Sequence, residues 1–161
     1  MQVWNPSASF TRPNDTTAYA AGDLVANATA AGAVVPLQIA LGNQFPNGMT
    51  RLTRARLVKS GSGVTNASFR IHLYEALPTP ANGDNAAWST DQAAHWLGNI
   101  DIASMLAFTD GAAGTGSAPA GSEMFLRLAG KTVYALLAAL GAYAPAANET
   151  FTLTLEDVSD Y

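Results

Sequence analysis

Ala-Ser-Phe-Arg-Ile-His-Leu-Tyr-Glu, residues 67–75, is the stretch whose pattern decides the fold class. Its apolar side chains Phe69, Ile71 and Leu73 fall on one side of an extended chain, and other side chains separate them. Alternation with a period of two is typical of a strand that has one face in a core. The stretch therefore predicts a half-buried β-strand.

A second strand of the same kind lies near the C-terminus, at residues 150–156, which read Thr-Phe-Thr-Leu-Thr-Leu-Glu. Phe151, Leu153 and Leu155 take the inward positions, and threonines take the outward ones. The β-branched side chain of threonine favours extended backbone over helix. This stretch is the second firm strand of the predicted fold.

Weaker patterns predict further strands, at residues 19–26, 34–41, 51–59, 99–103, 123–128 and 132–140. Pro36 has no amide hydrogen to donate, which predicts an edge strand or a bulge at 34–41. The Ala- and Leu-rich segment 132–140 lies between two nearby glycines and is too short for a typical helix. A buried strand is therefore favoured there.

One short helix is predicted at about residues 90–97, with Ser89 or Thr90 as its cap and Asp91 at its positive end. The glycine-rich segment 110–122 is expected to be a mobile excursion between strands. Seven or eight short strands with frequent turns predict an all-β chain folded as an antiparallel β-sandwich. A jelly roll is the preferred topology.

Length and composition fit a single domain over residues 1–161. The chain of 161 residues has no cysteine, so it needs no disulfides and has no thiol chemistry. Its net charge of -4 argues against binding to a nucleic-acid backbone. The sequence has neither a long apolar run nor a secretory signal, so we expect a soluble protein with no membrane partner. Residues 1–9 form a candidate N-terminal arm, in which Trp4 would reach a neighbouring subunit.

The sequence contains no motif that indicates catalysis or metal binding. His72 and His95 lack the spacing of a zinc site, and both are expected at the surface or an interface. No GxSxG elbow is present, and no pair of carboxylates is singled out for glycoside hydrolysis. Asp84 is interpreted as part of a turn and not of a calcium site, and Glu156–Asp157, with Asp160, as a solvated tail. We therefore predict that the chain is not an enzyme and has no catalytic residue, metal or cofactor.

Positive charge is concentrated in one part of the chain, at Arg51, Arg54, Arg56, Lys59 and Arg70. These residues form a basic band if the strand at 51–59 pairs with the strand that carries Arg70. One interpretation is a solvated strand face whose charges protect a sheet edge. The other is a rim that docks onto an acidic partner, and with Trp4 these residues are then the candidate partner interface. Trp88 and Trp96 flank the predicted helix and are expected to pin it over the sandwich.

Several segments are similar to structural proteins of tailed bacteriophages. The first is residues 10–25, Phe-Thr-Arg-Pro-Asn-Asp-Thr-Thr-Ala-Tyr-Ala-Ala-Gly-Asp-Leu-Val. The second is residues 71–80, Ile-His-Leu-Tyr-Glu-Ala-Leu-Pro-Thr-Pro, followed by residues 84–88, Asp-Asn-Ala-Ala-Trp. The third is residues 141–145, Gly-Ala-Tyr-Ala-Pro, which lead into the strand at 151–155. The likeness covers both ends and the middle of the chain.

This resemblance implies a β-sandwich virion protein of the capsid decoration, or cement, type. Such a protein binds the outer surface of the head and stabilises the shell by bridging subunits of the major capsid protein. Three-fold sites on a capsid favour trimers, so a homotrimer is expected. The glycine-rich segment 110–122 departs from the family pattern.

Two other classes of protein stay open. A tail or head fibre module would bind host-surface carbohydrate, and Tyr19, Tyr74 and Tyr143 are the candidate residues for its binding face. A carbohydrate depolymerase is the third class, for which no catalytic pair is evident.

Overall fold

The computed structural model describes residues 2–41, 50–126 and 132–159. The first six strands are β1 Gln2–Trp4, β2 Ser7–Thr11, β3 Leu24–Val25, β4 Leu37–Ala40, β5 Thr50–Lys59 and β6 Phe69–Tyr74. The other six are β7 Trp96–Ile102, β8 Leu106–Phe108, β9 Gly111–Gly116, β10 Met124–Leu126, β11 Thr132–Ala139 and β12 Thr150–Ser159. Single turns of 3-10 helix lie at Ala31–Ala33 and Ala93–His95.

The strands form two antiparallel sheets that pack as a sandwich. The larger sheet has the order β1-β12-β5-β9-β8, with β2 also on β12 and β10 also on β5. The smaller sheet has the order β3-β11-β6-β7, with β4 also on β11. The predicted all-β sandwich is confirmed, and the jelly-roll topology is compatible with it but stays a prediction. None of the described residues belongs to a helix long and apolar enough to span a membrane.

The core lies between the two sheets and contains the side chains that the alternation placed inward. Phe69 of β6 and Phe151 of β12 are fully buried, and their rings meet edge to face at 5.4 Å. Burial of each large apolar side chain contributes roughly 2 kcal/mol. A slip of one residue would move a whole inward row to the other face, so these rows fix the register.

Each of the long strands β5, β11 and β12 has two short strands paired side by side along one of its edges. β1 and β2 bond to opposite ends of β12, and between them the Pro6 carbonyl accepts from the Leu155 amide at 3.0 Å. Residues 2–4 and 7–11 are thus sheet strands, where a free arm over 1–9 was predicted, because they satisfy the backbone of β12. β4 begins directly after Pro36 and lies at the edge, as predicted.

A β-bulge explains why the segment 51–59 lacks a tidy alternation. Arg54 pairs with Glu156 and Leu52 with Asp157, so Thr53 is one extra residue on β5. Leu52 and Ala55 consequently both face the core although they are three positions apart.

The predicted helix at 90–97 is wrong. Ala93–His95 is one 3-10 turn, and β7 begins at the next residue. The residues expected to cap this helix form hydrogen bonds to Thr79 instead. The Thr90 hydroxyl donates to the Thr79 carbonyl at 3.2 Å, and the Asp91 carboxylate accepts from the Thr79 amide at 2.6 Å. These bonds close a loop over residues 75–95 and leave no cap for a helix.

The glycine-rich segment 110–122 is also not the excursion that was predicted, since its first half is β9 of the larger sheet. A Cβ on Gly116 would lie 2.1 Å from the Asp101 carbonyl oxygen, and one on Gly114 would lie 2.5 Å from a methyl of Ile102. The end of β7 therefore passes directly against β9. Glycine is required in β9 because the other sheet comes so close.

Candidate functional site

The outer face of the larger sheet is one candidate site, because several large apolar side chains are exposed on it. Five of the eight large hydrophobic side chains that are exposed among the described residues belong to this sheet: Val3, Val58, Leu106, Phe108 and Phe125. Directly paired residues of an antiparallel sheet share a face. One row therefore joins Val3, Val158, Arg51 and Phe125, and another joins Val58, Ala113 and Leu106. We call this surface the docking face.

Three of the predicted interface residues lie on the docking face. Arg54 makes two hydrogen bonds to Glu156, at 2.7 and 2.9 Å, and Arg51 lies 4.0 Å from Glu123. Arg56 is exposed between threonines of β12 and β9. Arginine and aromatic side chains among apolar residues are typical of protein–protein interfaces.

Lys59 and Arg70 do not belong to this face, and the continuous basic band does not form. The Lys59 side chain is fully buried, since it alternates inward with Leu57. Arg70 lies on β6 in the smaller sheet, which pairs with β11 and β7 and not with β5. Arg70 makes two hydrogen bonds of 2.7 Å to Asp101 on β7.

Trp4 lies on the sheet strand β1 and not on a free arm. It pairs with Asp157 and lies on the inward side of β1, half-buried. Asp157 itself is fully buried, where a solvated tail was predicted, and burial raises the pKa of its carboxyl to about 7. Asp160 lies outside the described residues.

A buried ionic cluster closes one end of the sandwich. Arg12 donates to Asp84 at 2.7 Å, and the Tyr19 hydroxyl and the Ala26 amide donate to the same carboxylate at 2.7 and 2.8 Å. Neither charged side chain is exposed. Asp84 is therefore held by Arg12, which accounts for its place in a turn without any metal.

A second buried cluster lies beside the first. Lys59 donates to Glu149 at 2.9 Å and to the carbonyls of Gly61 and Gly63 at 2.6 Å, and the Tyr143 hydroxyl donates to Glu149. The rings of Tyr19 and Tyr143 stack in parallel at 6.3 Å and join the two clusters.

The charged side chains of both clusters have no exposed surface. Burial raises the pKa of both tyrosines well above the usual value. Both side chains are buried, so Tyr19 and Tyr143 do not form the exposed binding face that the fibre-module alternative assigns to them. Segments 10–25, 84–88 and 141–145 supply Arg12, Tyr19, Asp84 and Tyr143, so residues far apart in the sequence form these two clusters.

The second candidate site is a groove on the outer face of the smaller sheet, with a volume of about 360 Å³. Its floor includes His72 and Tyr74 of β6 and Asn99 of β7, and its walls include Trp88 and Trp96. The His72 ring stacks on Trp88 at 3.9 Å with an interplanar angle of 10°, and Trp96 lies 6.3 Å away, tilted by 43°. We call this the aromatic groove.

The loop 75–95 positions Trp88 over the sheet. The Trp88 amide donates to the Gly22 carbonyl at 2.8 Å, and Ala87 forms a bridge with Asp23. A register shift between Leu73 and Tyr74 places Trp96 opposite Tyr74 at the start of β7. Such a bulge redirects the side chain that follows it. The tryptophans thus pin a loop where a helix was predicted.

Electrostatics make the aromatic groove nearly neutral. Burial beneath Trp88, with the positive charge of Arg70 nearby, lowers the pKa of His72 to about 4, so this histidine is uncharged at neutral pH. Hydrogen bonds from Arg70 lower the pKa of Asp101, and the charges of the two side chains offset each other.

Both histidines are predicted at the surface or an interface, and of the two only His95 is exposed. It lies 3.0 Å from Glu75, whereas His72 is buried. The described residues contain no group of three or more histidines and carboxylates arranged to hold a metal ion. Sequence reasoning missed the aromatic groove because it treated each of its residues separately. The available signal was two tryptophans close to the outward row of one strong strand.

No known family model matches this chain, and no curated protein matches it.

Proposed function

We propose that this chain is a non-catalytic decoration protein of a phage head, which binds the major capsid protein through the docking face. The resemblance of residues 10–25, 71–80 and 141–145 to phage structural proteins supports the class. The single observation that carries the mode of attachment is the cluster of exposed apolar side chains among arginines on one sheet face. An exposed apolar patch of this kind on a folded domain is typical of a surface that a partner covers.

The contact chemistry follows from the arrangement of this face. Leu106, Phe108 and Phe125 supply apolar area near one margin, while Arg54 and Arg56 run along the middle of the sheet. Burial of the apolar side chains gives affinity, and the arginines select a partner surface with acidic groups. Many copies on one lattice stabilise the shell although each contact is modest.

The test uses shells assembled from the major capsid protein of the phage that is proposed to encode this chain. The purified chain is expected to sediment with these shells and to raise the temperature at which they disassemble. The double variant Leu106→Ser/Phe108→Ser is expected to lose both effects. Leu77→Ser is the matched control, since Leu77 is exposed to a similar degree but lies in the loop 75–95. The proposal fails if the chain does not sediment with the shells or if the double variant binds like the original.

The homotrimer is a separate part of the proposal. Sedimentation velocity on the free chain is expected to give the mass of three copies at micromolar concentration. A monomer that binds shells would remove the trimer and leave the docking face in place.

A second candidate is a fibre module that binds host-surface carbohydrate, and the aromatic groove favours it. Labelled antibody against the chain distinguishes the two placements on intact particles. Label over the whole head supports decoration, and label at the tail tip supports a fibre module.

A further inference from the structure

We infer that the aromatic groove is a binding site for a neutral pyranose unit of a glycan. The inference concerns the face opposite to the docking face, so it holds for either placement on the particle. It begins from the shape and chemistry of the groove.

The first observation is a set of aromatic rings left open to solvent. Trp96 is 45% exposed at the groove wall, and Trp88 is half-buried against His72. A large exposed indole is costly unless something covers it. One side of a pyranose ring carries only C–H groups, and it packs against a flat aromatic surface of this size.

The second observation is independent of the first. Six buried side-chain polar atoms have no hydrogen-bond partner within the described residues, and three of them belong to this groove: His72 Nδ1, Tyr74 Oη and Trp88 Nε1. Buried polar atoms are nearly always paired, so such a concentration requires an explanation. These atoms have almost no exposed surface, so a ligand reaches them only when a neighbouring ring moves aside. A ligand with many hydroxyl groups can then both donate to and accept from them.

The rim of the groove provides further polar groups. Asn99, which donates to Asp101 at 3.1 Å, lines the groove, as do Asp91 and Thr90 on the loop side. Amide and carboxylate groups that border an apolar floor are the usual means of fixing a ligand's orientation. The volume of about 360 Å³ lies in the lower part of the range for ligand sites, which suits one or two sugar units.

The charge of the groove selects a neutral sugar. Arg70 makes both of its hydrogen bonds to Asp101, so these two charges offset each other. The charged side chain that remains in the lining is the negative Asp91. A phosphate, sulfate or sialic acid would meet no free cation there. A proline-rich peptide also packs on exposed tryptophan, but it brings few donors for the unpaired atoms and is therefore the less favoured occupant.

The test is an array that carries neutral hexose and N-acetylhexosamine glycans beside sialylated and sulfated ones, probed with the purified chain. We expect binding to at least one neutral glycan, and titration of its soluble oligosaccharide should quench tryptophan fluorescence. Trp96→Ala should weaken this binding by about tenfold or more, the loss expected when an aromatic anchor is truncated. Leu77→Ala, which removes an equally exposed side chain outside the groove, should leave it unchanged.

Four outcomes would overturn the inference: no neutral glycan binds, only acidic glycans bind, Trp96→Ala binds as well as the original, or a polyproline peptide binds in place of a sugar. Circular dichroism of Trp96→Ala shows that the variant is folded. The docking variant Leu106→Ser/Phe108→Ser should keep glycan binding, and Trp96→Ala should keep shell binding. These two variants therefore show whether the glycan-binding inference or the shell-docking proposal is wrong.

Discussion

The ionisation of Asp157 links the stability of the sandwich to pH. Its carboxylate is buried between the sheets without a hydrogen-bond partner among the described residues, and its pKa is raised from 3.8 to about 7. The folded state therefore binds this proton more tightly than the unfolded state. The resulting stabilisation is fully present below about pH 4 and is lost as the pH rises through 7.

Asp157→Asn should remove this dependence, because the amide stays neutral. We expect the variant to melt at least roughly 5 °C higher at pH 8 and at nearly the same temperature at pH 4. Glu156→Gln is the control, and its melting temperature at pH 8 should change in the opposite direction. The reason is that a hydrogen bond from Arg54 lowers the pKa of Glu156. Thermal melts across this range check the prediction, and equal gains for Asp157→Asn at both pH values would contradict it.

Variants of Lys59 and Glu149 test how much the buried ion pair contributes to the free energy of unfolding. Lys59→Met leaves Glu149 buried without its partner, which should lower the free energy of unfolding by about 3–5 kcal/mol. Lys59→Met/Glu149→Met should recover part of this loss, limited by the Tyr143 hydroxyl, which loses its acceptor. Urea unfolding measures both variants. A loss below about 1 kcal/mol for Lys59→Met would mean that water reaches Glu149.

The glycines of β9 let this strand pack directly against the end of β7. Gly116→Ala places a methyl group 2.1 Å from the Asp101 carbonyl, so the strand must shift, and we expect a loss of about 3 kcal/mol or more. Gly63→Ala is the matched control, because no atom lies within 4 Å of its added methyl. Chemical denaturation compares the two. Equal stability of both variants would show that β9 and β7 are farther apart than described.

Strands with a strong period of two could be predicted from sequence, and elements defined by a neighbour could not. β6 and β12 have one face in the core, so apolar residues such as Phe69 and Leu153 occur at every second position of their sequences. β9 has no such pattern, because its glycines are required by the close approach of another strand, β7. The segment 90–97 has helix-like caps, but Thr79 takes their hydrogen bonds. The aromatic groove was hidden for the same reason, since Trp88 reaches His72 only through the fold of the loop 75–95.

At the scale of the whole molecule, the sandwich separates two surfaces of different chemistry. The outer face of the larger sheet is apolar and contains arginines, and the outer face of the smaller sheet is an aromatic groove with little net charge. Two sheets packed face to face point these surfaces in opposite directions. A copy that docks through one face therefore leaves the other directed away from the particle.

This arrangement predicts that decoration of a shell turns a weak sugar site into a strong one. Shells that carry many copies should bind glycan-coated beads about 100-fold more tightly than the free chain does, because neighbouring sites engage the same bead. Shells decorated with Trp96→Ala should not bind, and free oligosaccharide should release the original shells. Bead retention at increasing shell concentration measures the effect. Decorated shells that bind no better than the free chain would mean that docking covers the groove, and the two faces would then not be independent.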